Sequence, residues 1–101
     1  MMQKFRTFTK VKAIKGKEKN IDCFCCNNSF IVEGTYSQLC GGNDIKSYSL
    51  YVLSEDEKEI INCIAWIKEK HLTACENQNT KEHYEDMIEK YNLKRCGVNC
   101  D

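Results

Sequence analysis

Three cysteines in four residues, Cys23-Phe24-Cys25-Cys26, form the densest chemistry in the chain. Thiolates and imidazoles are zinc ligands, and a structural zinc takes four of them in a tetrahedron, as two close pairs. Cys23 and Cys26 have the spacing of one such pair. Asn27-Asn28 follows them and tolerates the left-handed turn that makes the two sulfurs converge. Cys96 and Cys100, joined through Gly97 and Asn99, offer the second pair. The predicted metal ligands are therefore Cys23, Cys26, Cys96 and Cys100, with zinc as the cofactor. Cys25 can replace either member of the first pair, and Cys40 is a spare single ligand. His71 and Cys75 form an alternative second pair, one turn apart if that stretch is helical.

Other readings compete for the same thiols. Over Cys23 to Asn27 alone the chain resembles a zinc knuckle, which implies a metal there and nothing more. Eight cysteines in 101 residues approach the density of a disulfide scaffold in a secreted chain. The sequon Asn27-Asn28-Ser29 leans the same way, and Cys96–Cys100 or Cys26–Cys40 would be candidate bridges whose pairing spacing cannot fix. Thiol exchange needs a thiolate held at a helix N-terminus, and Cys23-to-Cys26 leads into a strand instead. Cys63 and Cys75 read as core residues. The N-terminus Met1-Met2-Gln3-Lys4-Phe5-Arg6 carries no apolar stretch after its charges, unlike a signal peptide. No apolar run reaches the roughly 18–20 residues of a membrane span. A cytoplasmic protein with reduced thiols is the expectation, and a secreted disulfide-bonded domain its rival.

The other chemistry is binding, not catalysis. There is no glycine loop to cradle phosphate, no activated nucleophile and no paired carboxylates outside solvated helix faces, so the sequence predicts no enzyme. Lys4, Arg6, Lys10 and Lys12 share one face of an alternating segment with Phe8. Basic side chains interleaved with an aromatic suit single-stranded nucleic acid, and a solubilising edge strand explains the same residues. Trp66 falls on the outer part of the first predicted helix, either exposed beside acidic residues as a protein-binding hot spot would be or packed under the sheet edge. The net charge is zero but polarised: residues 1–20 hold seven Lys/Arg and one Glu, residues 55–101 eleven Asp/Glu and seven Lys/Arg. A plain nucleic-acid binder would be basic overall.

These residues must be positioned by one 101-residue domain, β-rich over 1–53, with two helices over 54–92 and a cysteine-containing tail at 93–101. Residues 4–15 alternate as a strand, 16–20 form a hairpin loop, and 21–26 return as a second strand. Phe30-Ile31-Val32 is a third, 34–44 a loop, and 45–53 a fourth with Tyr48, Leu50 and Val52 on one face. Ser54-Glu55-Asp56-Glu57 has capping-box form, which predicts a helix to about 73–75 with Ile60, Ile61, Ile64 and Ile67 inward. Thr80 caps a second helix, 81–91, with Tyr84, Met87, Ile88 and Tyr91 inward. The predicted class is α+β: a small antiparallel sheet of three to four strands with two helices on one face. The expected function is a small non-enzymatic inhibitor or adaptor, of the kind phages and mobile elements encode, acting on a protein partner. Single-stranded nucleic-acid binding is the alternative.

Overall fold

The computed structural model describes residues 3–14 and 28–100, except for the side chains of 95–100. Five strands, β1 (Lys10–Ala13), β2 (Phe30–Thr35), β3 (Ser47–Leu53), β4 (Ile60–Lys68) and β5 (Leu72–Ala74), form one sheet. A short helix α1 (Tyr36–Cys40) lies between β2 and β3, a 3-10 turn (Glu69–His71) joins β4 to β5, and a long helix α2 (Lys81–Cys100) follows. The α+β class holds; among the described residues the sheet has five strands where three to four were expected, and one long helix where two were expected.

Every pairing is antiparallel, in the order β4-β3-β2-β1-β5. β4 and β5 are thus opposite edges of the sheet, yet only three residues separate them in sequence. A 3-10 turn of that length covers about 6 Å, whereas four inter-strand spacings in a flat sheet span about 19 Å. The sheet must curl until its edges meet at this corner. Backbone hydrogen bonds pin it there: Ile14 N–H to His71 O at 2.8 Å and Glu69 N–H to Lys46 O at 2.7 Å.

Curling gives the sheet an inside and an outside. All five strands send residues into the inner cluster, with Val11, Phe30, Val32, Leu50, Ile64, Ile67 and Leu72 among them, beside Tyr48 and Phe5. The intervening residues Ile31, Tyr51, Leu53 and Ile60 point outward, where Tyr84 of α2 closes over them and Met87, Ile88 and Tyr91 pack alongside. Both faces of β2 and β3 are therefore buried, which is why their sequences, Phe-Ile-Val and Tyr-Ser-Leu-Tyr-Val-Leu, are almost continuously apolar.

The helix expected over 54–75 is replaced by a turn and two strands. Ser54 Oγ donates to Asp56 Oδ1 at 2.6 Å, and Ser54 N–H donates to Glu59 O at 2.9 Å, closing the β3–β4 hairpin. The side chain that would cap a helix is spent on a local turn. The isoleucine spacing misled for a second reason. The register against β3 slips twice, between Val52 and Leu53 and between Tyr48 and Leu50. Each slip places an extra residue in β4. Ile64 and Ile67 share the inner face although three apart, because one bulge lies between them, while Ile60 is buried on the outer face, so the intervals of four and three that mimic a helix come from a bulged strand buried on both faces.

Smaller differences follow the same logic. β1 begins only at Lys10, because residues 6–9 make a turn in which Phe8 takes φ 73°. The expected loop at 34–44 contains α1, closed by a reciprocal cap: Gln38 N–H donates to Thr35 Oγ1 and Thr35 N–H to Gln38 Oε1. Helix α2 runs on through the expected tail to Cys100. The expected hairpin and strand over 16–26 lie outside the described residues.

One ion pair ties the hairpin to the first strand. Lys10 is 8% exposed, and its Nζ meets Glu57 Oε1 at 3.0 Å, while Ser29 Oγ donates to Glu57 Oε2. The hydrogen bond that Lys10 donates to Glu57 holds the Lys10 pKa above its ordinary value, against the opposing effect of burial. Glu57→Gln leaves a nearly buried ammonium without its counter-charge, so a loss of about 1–3 kcal/mol is expected. Urea midpoints at neutral pH check this, and equal midpoints would rule the pair out as a stabilising contact.

Candidate partner-binding surface

The residues most able to bind something gather where α1, the 43–47 connection and the end of β4 meet. The capping box fixes the start of α1, so Tyr36 and Leu39, three apart, share its outward side. The second slip in β4 turns Trp66 outward beside them. The Tyr36 and Trp66 rings meet edge to face, with centroids 4.9 Å apart and planes at 67°. Tyr36, Leu39 and Trp66 remain 39%, 45% and 37% exposed. Each is anchored by the backbone but uncovered, as an interface aromatic is before its partner arrives.

Next to this patch lies a cleft of about 500 Å³ lined by Lys4, Lys46, Lys68 and Lys70 with Asp44, Ser47 and Glu69. Its two carboxylates are already committed. Asp44 Oδ1 accepts from the Lys46 N–H at 2.9 Å and the Ser47 N–H at 3.1 Å, and these bonds hold its pKa below the usual carboxylate value. Glu69 Oε2 accepts from the buried Tyr48 hydroxyl at 2.7 Å and from the Lys4 N–H at 3.1 Å. Among the described residues the ion pairs are Lys10–Glu57 and Lys81–Glu85, so none of the four cleft ammoniums is ion-paired. Lys68 is two residues beyond Trp66 on the same outward side of β4, about 7 Å along the strand.

No family model, curated protein or solved structure matches this chain.

Of the residues singled out by sequence, Trp66 is exposed as expected, but on a strand. The five predicted for nucleic acid are not gathered on one face. Lys10 is buried in its ion pair. Phe8 is half-buried against the outer cluster, with Lys81 Nζ 5.9 Å from its ring centre. Arg6 and Lys12 are exposed on separate segments, and Lys4 faces the cleft.

Cys23, Cys25 and Cys26 lie outside the described residues, as do the side chains of Cys96 and Cys100, whose backbone is helical. Cys40 ends α1 as an exposed free thiol, and Cys75 is free and half-buried. His71 and Cys75 flank the extended β5, so they are separated by roughly 13 Å of strand where helical stacking was expected. Among the described residues no group of three or more His, Cys, Asp or Glu is arranged to hold a metal ion. The Cys63 thiol sits beside polar groups, 3.5 Å from Ser49 Oγ and 3.8 Å from Glu33 Oε1, and not purely in the core.

Sequence reasoning missed Tyr36, Leu39, Lys46, Lys68 and Lys70 as one surface. Only the bulged strand and the curled corner bring them together.

Proposed function

We propose that this chain is a small non-enzymatic binding protein, an inhibitor or adaptor, that engages a protein partner through Tyr36, Leu39 and Trp66. The observation supporting this reading is the edge-to-face Tyr36–Trp66 pair, formed between α1 and β4 and more than one-third exposed. A partner that covers such a pair gains its apolar area at little cost in side-chain ordering, because the two rings already brace each other.

Trp66 is the only tryptophan, so its emission reports this surface alone. The test is selection from a displayed random-peptide library, followed by titration of the enriched peptides. They are expected to shift Trp66 emission to the blue and to bind at least about 30-fold more weakly to Trp66→Ala, the size of a hot spot. Tyr36→Ala should weaken them as well. Enriched peptides whose affinity ignores both substitutions would refute this surface.

A further inference from the structure

We propose that the lysine cleft beside Trp66 recognises clustered carboxylates, so that the partner is a protein segment rich in Asp and Glu, with an apolar side chain set against Trp66 and Tyr36. This rests on the binding reading above and assigns the partner's chemistry.

The argument begins with the charges. Four ammoniums and two carboxylates line the cleft, an excess of two positive charges in a molecule whose net charge is zero. Neither carboxylate is ion-paired with a cleft lysine. Asp44 is bound by two backbone N–H groups, and Glu69 is fixed by the Tyr48 hydroxyl and the Lys4 N–H. Lys4, Lys46, Lys68 and Lys70 come from three separate segments and converge only because the sheet curls at the Glu69–His71 corner. All four side chains are exposed, so an incoming anion meets them without first breaking an internal ion pair. Close like charges raise the local potential and attract anions, steeply so at low salt.

The anion is more specifically carboxylate on protein than phosphate on nucleic acid. The cationic region is confined to one cleft, whereas a nucleic-acid strand tracks a long basic groove. The surface also continues into Leu39, an aliphatic side chain with no counterpart in base stacking. Lysine, with a compact charge approachable from many directions, suits side-chain carboxylates that arrive at irregular spacing.

Three fluorescein-labelled probes test this against the full chain: a peptide alternating Glu and Asp around a central Leu-Phe pair, the same peptide with Gln and Asn, and a single-stranded oligonucleotide. Anisotropy and Trp66 emission are read at low and physiological salt. The acidic peptide should bind at least tenfold more tightly than the amide version, lose affinity with salt, and shift Trp66 emission. A Lys46→Gln/Lys68→Gln/Lys70→Gln variant should lose at least tenfold for the acidic peptide and keep the wild-type melting temperature, since these side chains are exposed. Tighter binding of the oligonucleotide, no preference between the two peptides, or full affinity in the triple variant overturns the proposal. Failure of the aromatic reading is a separate result: acidic-peptide binding that is lost in the lysine variant but unchanged in Trp66→Ala.

Discussion

Replacing Tyr48 with alanine should remove about 5 kcal/mol of stability and leave much of the protein unfolded at room temperature. The ring is fully buried in the inner cluster and packs edge to face on Phe5 at 5.6 Å. Truncating a buried aromatic costs about 3–5 kcal/mol. The hydroxyl adds to this, because it accepts the buried Phe5 N–H at 3.2 Å and donates to Glu69. An orphaned buried N–H costs about 1–3 kcal/mol, and a domain of this size has roughly 5–15 kcal/mol in total. Urea unfolding measures the difference.

Tyr48→Phe separates the hydroxyl from the ring, with an expected loss of about 1–3 kcal/mol. It also has a pH signature. Burial, reinforced by the Glu69 carboxylate, pushes the Tyr48 pKa from 10.0 to about 12. The folded protein therefore keeps a proton that the unfolded chain releases between pH 10 and 12. Stability is fully present below pH 10 and falls by roughly 1–3 kcal/mol across that window. Lys10, with its raised pKa, acts in the same direction: its contribution is intact below 10.5 and lost above it. Tyr48→Phe should keep the lysine part and lose the tyrosine part. Identical alkaline losses in the wild type and in Tyr48→Phe would contradict this account.

The second large effect concerns α2. Tyr84 is 1% exposed and accepts a hydrogen bond from Asn79 Nδ2 at 3.1 Å. It is the helix residue most deeply set into the outer cluster of Ile31, Tyr51, Leu53 and Ile60. Tyr84→Ala should weaken docking by about 3–5 kcal/mol. Most of a helix's stability in a protein comes from the packing of its apolar face, so undocking should melt it. Helical ellipticity is expected to fall while amide protection persists in the β2–β3 ladder, and the uncovered outer face should bind a hydrophobic dye. Simultaneous loss of helix and ladder protection would mean that α2 and the sheet unfold as one unit.

How much of this could be read in advance depended on which face each residue serves. The apolar runs at 30–32 and 48–53 mark β2 and β3, because both faces of those strands are covered. Tyr84, Met87, Ile88 and Tyr91 mark the buried stripe of α2 for the same reason. β4 is not legible, since a bulge between Ile64 and Ile67 and the burial of Ile60 on the opposite face give its isoleucines a helical rhythm, and the acidic Ser54–Glu57 turn imitates a helix cap. Trp66 was recognised as an outward residue despite the wrong element, because outwardness survives that change of element. The lysine cleft left no local trace. Lys4, Lys46, Lys68 and Lys70 are distant in sequence, and a corner three residues long decides their meeting.

That corner also dictates a timetable. β1 lies between β2 and β5, with Val11 paired to Phe30 on one side and Ala74 on the other. During synthesis β1 leaves the ribosome before the other four described strands, yet its second neighbour emerges only after β4 and the corner have been made. The β3–β4 hairpin, with its short connection, can assemble early from local contacts, whereas β1 must wait for a partner far along the chain. Of the five described strands β1 is thus the first made and the last secured, and a nascent chain halted before Leu72 would carry an unprotected strand edge open to mispairing.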